Sequence, residues 1–144
     1  MSLLAALELA RATRQFQPVL DLVPYFRFLG LRVRDDGEVG LTCSLPADPK
    51  LIGNPTLPAL HGGVVGALLE SAAIIQLMHA AEALTVPKTI DFSVDYLRSA
   101  KPVETFARGI ITKHGRRVAN VRVEAWQDDP ARPVAAAHGH FLLG

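Results

Sequence analysis

Cysteine is nearly missing from this chain. Cys43 stands alone among 144 residues. One thiol excludes an internal disulfide framework and fits a reducing compartment, so a cytoplasmic location is expected. Excess charge is also missing. A net charge of +1 gives no electrostatic reason for nucleic acid or an anionic membrane as partner. No uncharged apolar stretch reaches the ~18 residues of a membrane-spanning helix, so none is expected. The N-terminal run Met1 to Leu7 looks faintly like a signal core. However, Glu8 interrupts it, the arginines follow it, and no small-residue cleavage site is evident. There is no internal repeat, no low-complexity segment, no glycine-flanked serine elbow and no metal-ligand spacing. His138 and His140 share one strand face but lack a third ligand nearby, so no metal is expected.

What is present is apolar material for one core. Nearly half of the residues are hydrophobic, and the length suits a single domain over 1–144. Apolar residues at Leu3, Leu4, Leu7 and Ala10 predict an amphipathic helix over 2–16, ended near Pro18. Residues 18–27 read as a turn or short helix. Phe28 to Leu45 reads as a hairpin around Asp35-Asp36-Gly37, with Val39, Leu41, Cys43 and Leu45 on one face. Residues 46–58 hold four prolines, Pro46, Pro49, Pro55 and Pro58, marking a loop. Residues 62–80 form a long helix, apolar nearly all round and therefore buried. Four strands follow, 89–99, 103–113, 118–127 and 134–143, with turns at His114-Gly115-Arg116 and Asp128-Asp129-Pro130. This order predicts an α+β fold in which a curved antiparallel sheet wraps the long helix. The outer face of such a sheet needs cover, which argues for oligomerisation.

The start of the long helix carries the chemistry. His61-Gly62-Gly63 opens it, and Glu70 is the one charged residue between Val64 and Met78. A carboxylate in apolar surroundings is costly unless paired or used. Glycines at a helix start present free N–H groups to whatever lies in front. Together these offer a candidate base or nucleophile and a candidate oxyanion donor on one element. Yet Gly62 and Glu70 are eight residues apart, about 12 Å along the axis. One chain cannot bring both to one carbonyl. A two-fold homodimer with antiparallel long helices would join Gly62 of one protomer to Glu70 of its partner, twice.

His61-Gly62-Gly63 followed by Glu70 resembles the hotdog-fold acyl-CoA thioesterases of the phenylacetate-degradation type. The strand from Thr89 to Ala100, the turn Lys113 to Ala119 with Arg116 and Arg117, and the ending from Val134 to Phe141 resemble the same family in the same order. The likeness covers residues 25–143 and implies a hotdog core with an extra N-terminal helix. It implies an acyl-CoA substrate, no cofactor beyond that coenzyme A, and a homodimer that pairs into a homotetramer. It further implies that Gly62 N–H polarises the thioester carbonyl and that Glu70 acts as general base or nucleophile. Asn54 would orient water or the carbonyl, although it stands seven residues before His61 where the family usually has six. Thr89 would position water beside the acid, which is Glu here and Asp in many members. Gly63 lies in the binding motif, and Arg116 with Arg117 would clamp the coenzyme's phosphates.

Each residue also has a plainer reading. Glu70 could pair with an arginine, the glycines could serve close packing, and His61 could be a helix cap. Asn54 could be a turn residue, Thr89 a strand hydroxyl, and Arg116-Arg117 a solvated turn. A hydratase or dehydratase of acyl thioesters on the same fold, or a non-catalytic acyl-CoA binder, would share much of this sequence.

Overall fold

The computed structural model describes residues 1–81 and 84–144. Part of the linker expected between the long helix and Pro87 therefore lies outside the described residues. Helix α1 runs Leu3–Thr13, capped by Ser2 Oγ on Ala5 N–H at 3.1 Å. It buries Ala6, Leu7 and Ala10. It ends earlier than the predicted 2–16 because Arg14 turns left-handed (φ 61°) and pairs with Asp35 at 3.0 Å. Pro18 does not end this helix. It sits in the first turn of α2 (Gln17–Leu20), where its missing N–H costs nothing. Helix α3 (Pro24–Leu29) likewise opens on a proline, and Gly30 at φ 70° closes it.

The predicted hairpin is present but starts four residues later, because Phe28 belongs to α3. Strands β1 (Arg32–Asp35) and β2 (Leu41–Leu45) pair antiparallel. Leu41, Cys43 and Leu45 are buried as the alternation predicts. Val39 is not, since it lies in a 3₁₀ turn and is exposed. The proline-rich loop contains a further 3₁₀ turn and a small hairpin, β3 (Ile52–Asn54) with β4 (Ala59–Leu60), which its prolines conceal from a sequence reading. Helix α4 then runs Gly62–Ala80. Strands β5 (Lys88–Tyr96), β6 (Thr105–His114), β7 (Val118–Trp126) and β8 (Ala135–Leu142) complete the chain. The main sheet has the order β1-β2-β6-β7-β8-β5, antiparallel throughout, so β5 is an edge.

The sheet lays its inner face on α4, as the hotdog expectation requires. That face is lined by small side chains, including Ala107, Ala125, Ala135 and Ala137, all buried. Gly109 shows why. A Cβ there would lie 3.2 Å from the Ala72 carbonyl and 3.3 Å from Ala73 Cα. Helix and sheet approach so closely that alanine and glycine set the spacing. Leu68, Leu69, Ile75 and Leu77 fill the remaining volume and are fully buried. By length and composition alone α4 could cross a membrane. Half of its most apolar window is buried inside the fold, as befits a core helix, and Glu70 sits at its middle.

Two basic contacts tie down the end of α4. Arg11 donates from Nε (3.2 Å) and Nη2 (2.7 Å) to the Met78 carbonyl, placing a cation at the negative end of the helix dipole. His79 packs its ring edge-on against Phe16 at 5.0 Å, and its Nδ1 is buried without a hydrogen-bond partner among the described residues. Burial lowers the His79 pKa below its usual value. Asp35 opposes that shift, and Arg14 and Arg11 add to it. A histidine held neutral in the fold protonates more readily when unfolded. Its stability contribution is therefore complete above the unfolded pKa, about 6.5, and is lost as pH falls through the lower folded value. Thermal denaturation should show Tm falling between pH 7 and 5, with a shallower slope in His79→Phe. An unchanged slope would place the acid sensitivity elsewhere.

Candidate active site

The amino end of α4 is held from several directions. His61, in extended conformation, caps the helix, and its Nδ1 accepts the Gly63 N–H at 2.9 Å. With Nδ1 accepting, the neutral ring carries its proton on Nε2. His61 donates its own N–H to the Leu51 carbonyl at 2.9 Å, and its carbonyl accepts from Val64 and Val65. The Gly62 N–H, at the first helical position, has no acceptor within the helix. Gly62 and Gly63 are both exposed. Gly62 lines a depression of about 340 Å³ whose walls include Leu60, Val65, Tyr96, Leu97 and Val134.

Glu70 lies two turns further along, on the same stripe as Gly62 and Gly66, and is half-buried. Thr89 Oγ1 donates to its Oε2 at 2.8 Å. Among the described residues no cation pairs with Glu70. The hydroxyl orients one carboxylate oxygen and leaves Oε1 for another partner. Sequence and structure thus bring Glu70 and Thr89 together, and they place Gly62 with His61 and Gly63 at the helix start. The two groups remain separated by the rise of α4.

The other candidates fall elsewhere. Asn54 ends β3, and its Oδ1 accepts from the N–H groups of Thr56 (2.9 Å) and Leu57 (3.3 Å), closing an Asx turn. Its loop backbone nevertheless presses on the helix start: a Cβ at Gly53 would lie 2.5 Å from His61 Cα. Arg116 and Arg117 sit in the β6–β7 turn. Arg116 borders a cavity of about 480 Å³ with Ala80, Ala81, Thr85 and Leu143, at the opposite end of α4 from Gly62. That cavity begins ten residues beyond Glu70, about 15 Å along the helix. His140 Nδ1 lies 2.8 Å from Asp91 Oδ1, which holds the Asp91 carboxyl below its usual range. No cluster of three or more His, Cys, Asp or Glu stands ready for a metal among the described residues. The Cys43 thiol is pushed up to about 12 by burial and makes a poor nucleophile.

A family model described as the Thioesterase superfamily matches residues 57–134, from the end of the proline-rich loop to the last turn. The chain belongs to the thioesterase superfamily. This thioesterase is 27% identical over 135 residues to the medium/long-chain acyl-CoA thioesterase YigI of Salmonella typhimurium, covering 85% of this chain and 86% of that protein. A crystal structure of a Chromobacterium violaceum protein matches at 42% identity and a TM-score of 0.79, with 96% of each chain covered. A phenylacetic acid degradation-related protein from Ralstonia eutropha superposes with a TM-score of 0.73 at 27% identity, over 84% of this chain and 91% of that one. The hotdog assignment and the thioester-hydrolase class thus stand on sequence and fold together.

One residue of the candidate site escapes a sequence reading. Tyr96 Oη donates to the Gly62 carbonyl at 2.8 Å, and its ring lies over Gly62 and Gly66. In sequence it is one more apolar beat of the β5 alternation. Strand alternation puts Thr89 on the face opposite Tyr96, and the register shift between Thr89 and Asp91 is what lets one strand reach both Glu70 and Gly62.

Proposed function

We propose that the protein hydrolyses acyl-CoA thioesters to the free acid and coenzyme A, in two sites each assembled from both chains of a homodimer. The observation that carries this reading is Glu70: a half-buried carboxylate that has, among the described residues, a hydroxyl partner on one oxygen and no cation. The acyl-CoA class comes from the resemblance and from the substrate named for the Salmonella relative.

In the proposed reaction, Gly62 N–H and the helix dipole face the thioester carbonyl of a substrate lodged beside Leu60, Val65 and Tyr96. Glu70 of the partner takes a proton from water as the water oxygen bonds to the carbonyl carbon. Negative charge collects on the carbonyl oxygen, where Gly62 N–H stabilises it. The intermediate collapses, the C–S bond breaks, and the departing sulfur takes the proton from Glu70. Direct attack by Glu70 through an anhydride uses the same geometry. Thr89 holds the carboxylate, His61 contributes Nε2–H, and the Asn54 amide nitrogen is the end left to meet water or carbonyl. Gly63 completes the cap, and Arg116 with Arg117 receives the coenzyme's phosphates at the distant end of α4.

The edge strand supplies the dimer contact in this reading. Among the described residues β5 pairs with β8 alone, which leaves the other side of its nine residues an open edge, with Ile90 and Tyr96 exposed. Antiparallel pairing of two β5 edges, with Thr89 opposite the partner's Tyr96 and the register shift between Thr89 and Asp91 counted, centres a two-fold axis at Ser93. The same axis beside Gly66 sets Gly62 against Glu70 of the partner. Incubation with aromatic, medium-chain and long-chain acyl-CoA esters, with free thiol followed by a colorimetric reagent, tests the function. Thiol release is expected. Binding without release would point to a carrier, and hydration of enoyl-CoA without release to a hydratase.

A further inference from the structure

We propose that Tyr96 is a positioning residue for the oxyanion donor, acting through the Gly62–Gly63 peptide. This rests on the reading of Gly62 given above. The helix begins with two glycines, the residues with the most backbone freedom to lose, and a helix end is also where fraying begins. An oxyanion donor in that position works only if its N–H is fixed before the charge develops.

Three consecutive peptide groups meet at this point, and each is anchored. The peptide before His61 gives its N–H to the Leu51 carbonyl at 2.9 Å. The His61–Gly62 peptide, which owns the donor N–H, has its carbonyl bonded by Val64 at 3.0 Å and Val65 at 3.2 Å. The Gly62–Gly63 peptide is gripped at both ends by side chains. Tyr96 O–H donates to its carbonyl at 2.8 Å, and its N–H donates to His61 Nδ1 at 2.9 Å. Tyr96, one peptide plane and His61 therefore form a continuous hydrogen-bonded chain. Each bond in such a chain polarises the next.

The ring adds a steric limit. An ideal Cβ on Gly62 would sit 3.6 Å from it, and one on Gly66 3.4 Å from Oη. The helix start is thus in van der Waals register with a strand, and β5 carries Thr89 to Glu70 as well. One strand sets the attitude of both halves of the proposed chemistry, a hydroxyl at each.

Tyr96→Phe keeps the ring and removes the bond. The expected result is a fall in kcat of about tenfold with KM within twofold of wild type, the size of one hydrogen bond. The acidic limb of the pH–rate profile, which reports the base, should not move. The Gly63 amide proton should shift upfield and exchange faster in ¹⁵N-edited spectra, a readout that needs no turnover. Tyr96→Leu should show the same loss of kcat and, with the depression opened, a raised KM. A Tyr96→Phe enzyme with wild-type kcat, a change confined to KM, or an unmoved Gly63 amide would overturn the inference. A wild-type protein that releases no thiol from any acyl-CoA would instead overturn the functional reading, and the kinetic role of Tyr96 with it.

Discussion

Glu70→Gln is expected to lower kcat for acyl-CoA hydrolysis by about 10³-fold, with KM little changed and the fold intact. Glutamine keeps the length of the side chain and an oxygen for the Thr89 hydroxyl, so the 2.8 Å contact can survive. What disappears is the ability to take a proton or to attack carbon, and positioned bases contribute about 10²–10⁴-fold. No cation is left unpaired by the change, since none bridges Glu70 among the described residues. Thiol release measured beside a circular dichroism spectrum checks both parts. Activity within a few-fold of wild type would remove Glu70 from the chemistry.

The second large effect is expected at Gly62. Substitution by proline removes the N–H and puts the ring Cδ where that hydrogen pointed, so no oxyanion can be bound there. The first helical position tolerates proline, whose fixed φ suits a helix start. His61 before it is already extended, at φ −62° and ψ 130°, the conformation that a residue preceding proline prefers. The nearest atoms a Cβ at this position would meet are those of Tyr96, at an ordinary 3.6 Å. Gly62→Pro should therefore fold and lose about 10²–10³-fold in kcat, the usual cost of one oxyanion donor. Gly62→Ala retains the N–H and should stay near wild type. Equal losses in the two variants would show that space, and not the hydrogen bond, matters there.

The sequence already displayed the parts of this protein that rest on local physics. The glycine pair and the capping histidine mark where α4 begins, and the even apolar coat of that helix marks it as core. Glu70 announces itself because it is the one charge in that coat. Thr89 is legible through resemblance, and its hydroxyl lies 2.8 Å from Glu70 Oε2. Other features depend on tertiary contacts and left no local mark. Arg14 ends α1 in a left-handed turn without glycine, anchored by Asp35 from β1. The β3–β4 hairpin hides among prolines. Tyr96 looks like an inward strand position until the crossing of β5 over α4 brings its hydroxyl to Gly62. Asn54 reads equally as a site amide and as a turn residue, and its carbonyl oxygen does the work of the turn.

The central claim is that one chain supplies Gly62 and its partner supplies Glu70. Differently tagged Glu70→Gln and Gly62→Pro chains, co-expressed and purified as the heterodimer, put it to the test. Each homodimer alone should be nearly inactive. In the heterodimer one site receives both defects, and the other combines an intact Gly62 with an intact Glu70. The account predicts about half of the wild-type rate per dimer. A heterodimer no more active than its two parents would contradict it, because Gly62 and Glu70 would then have to serve from the same chain.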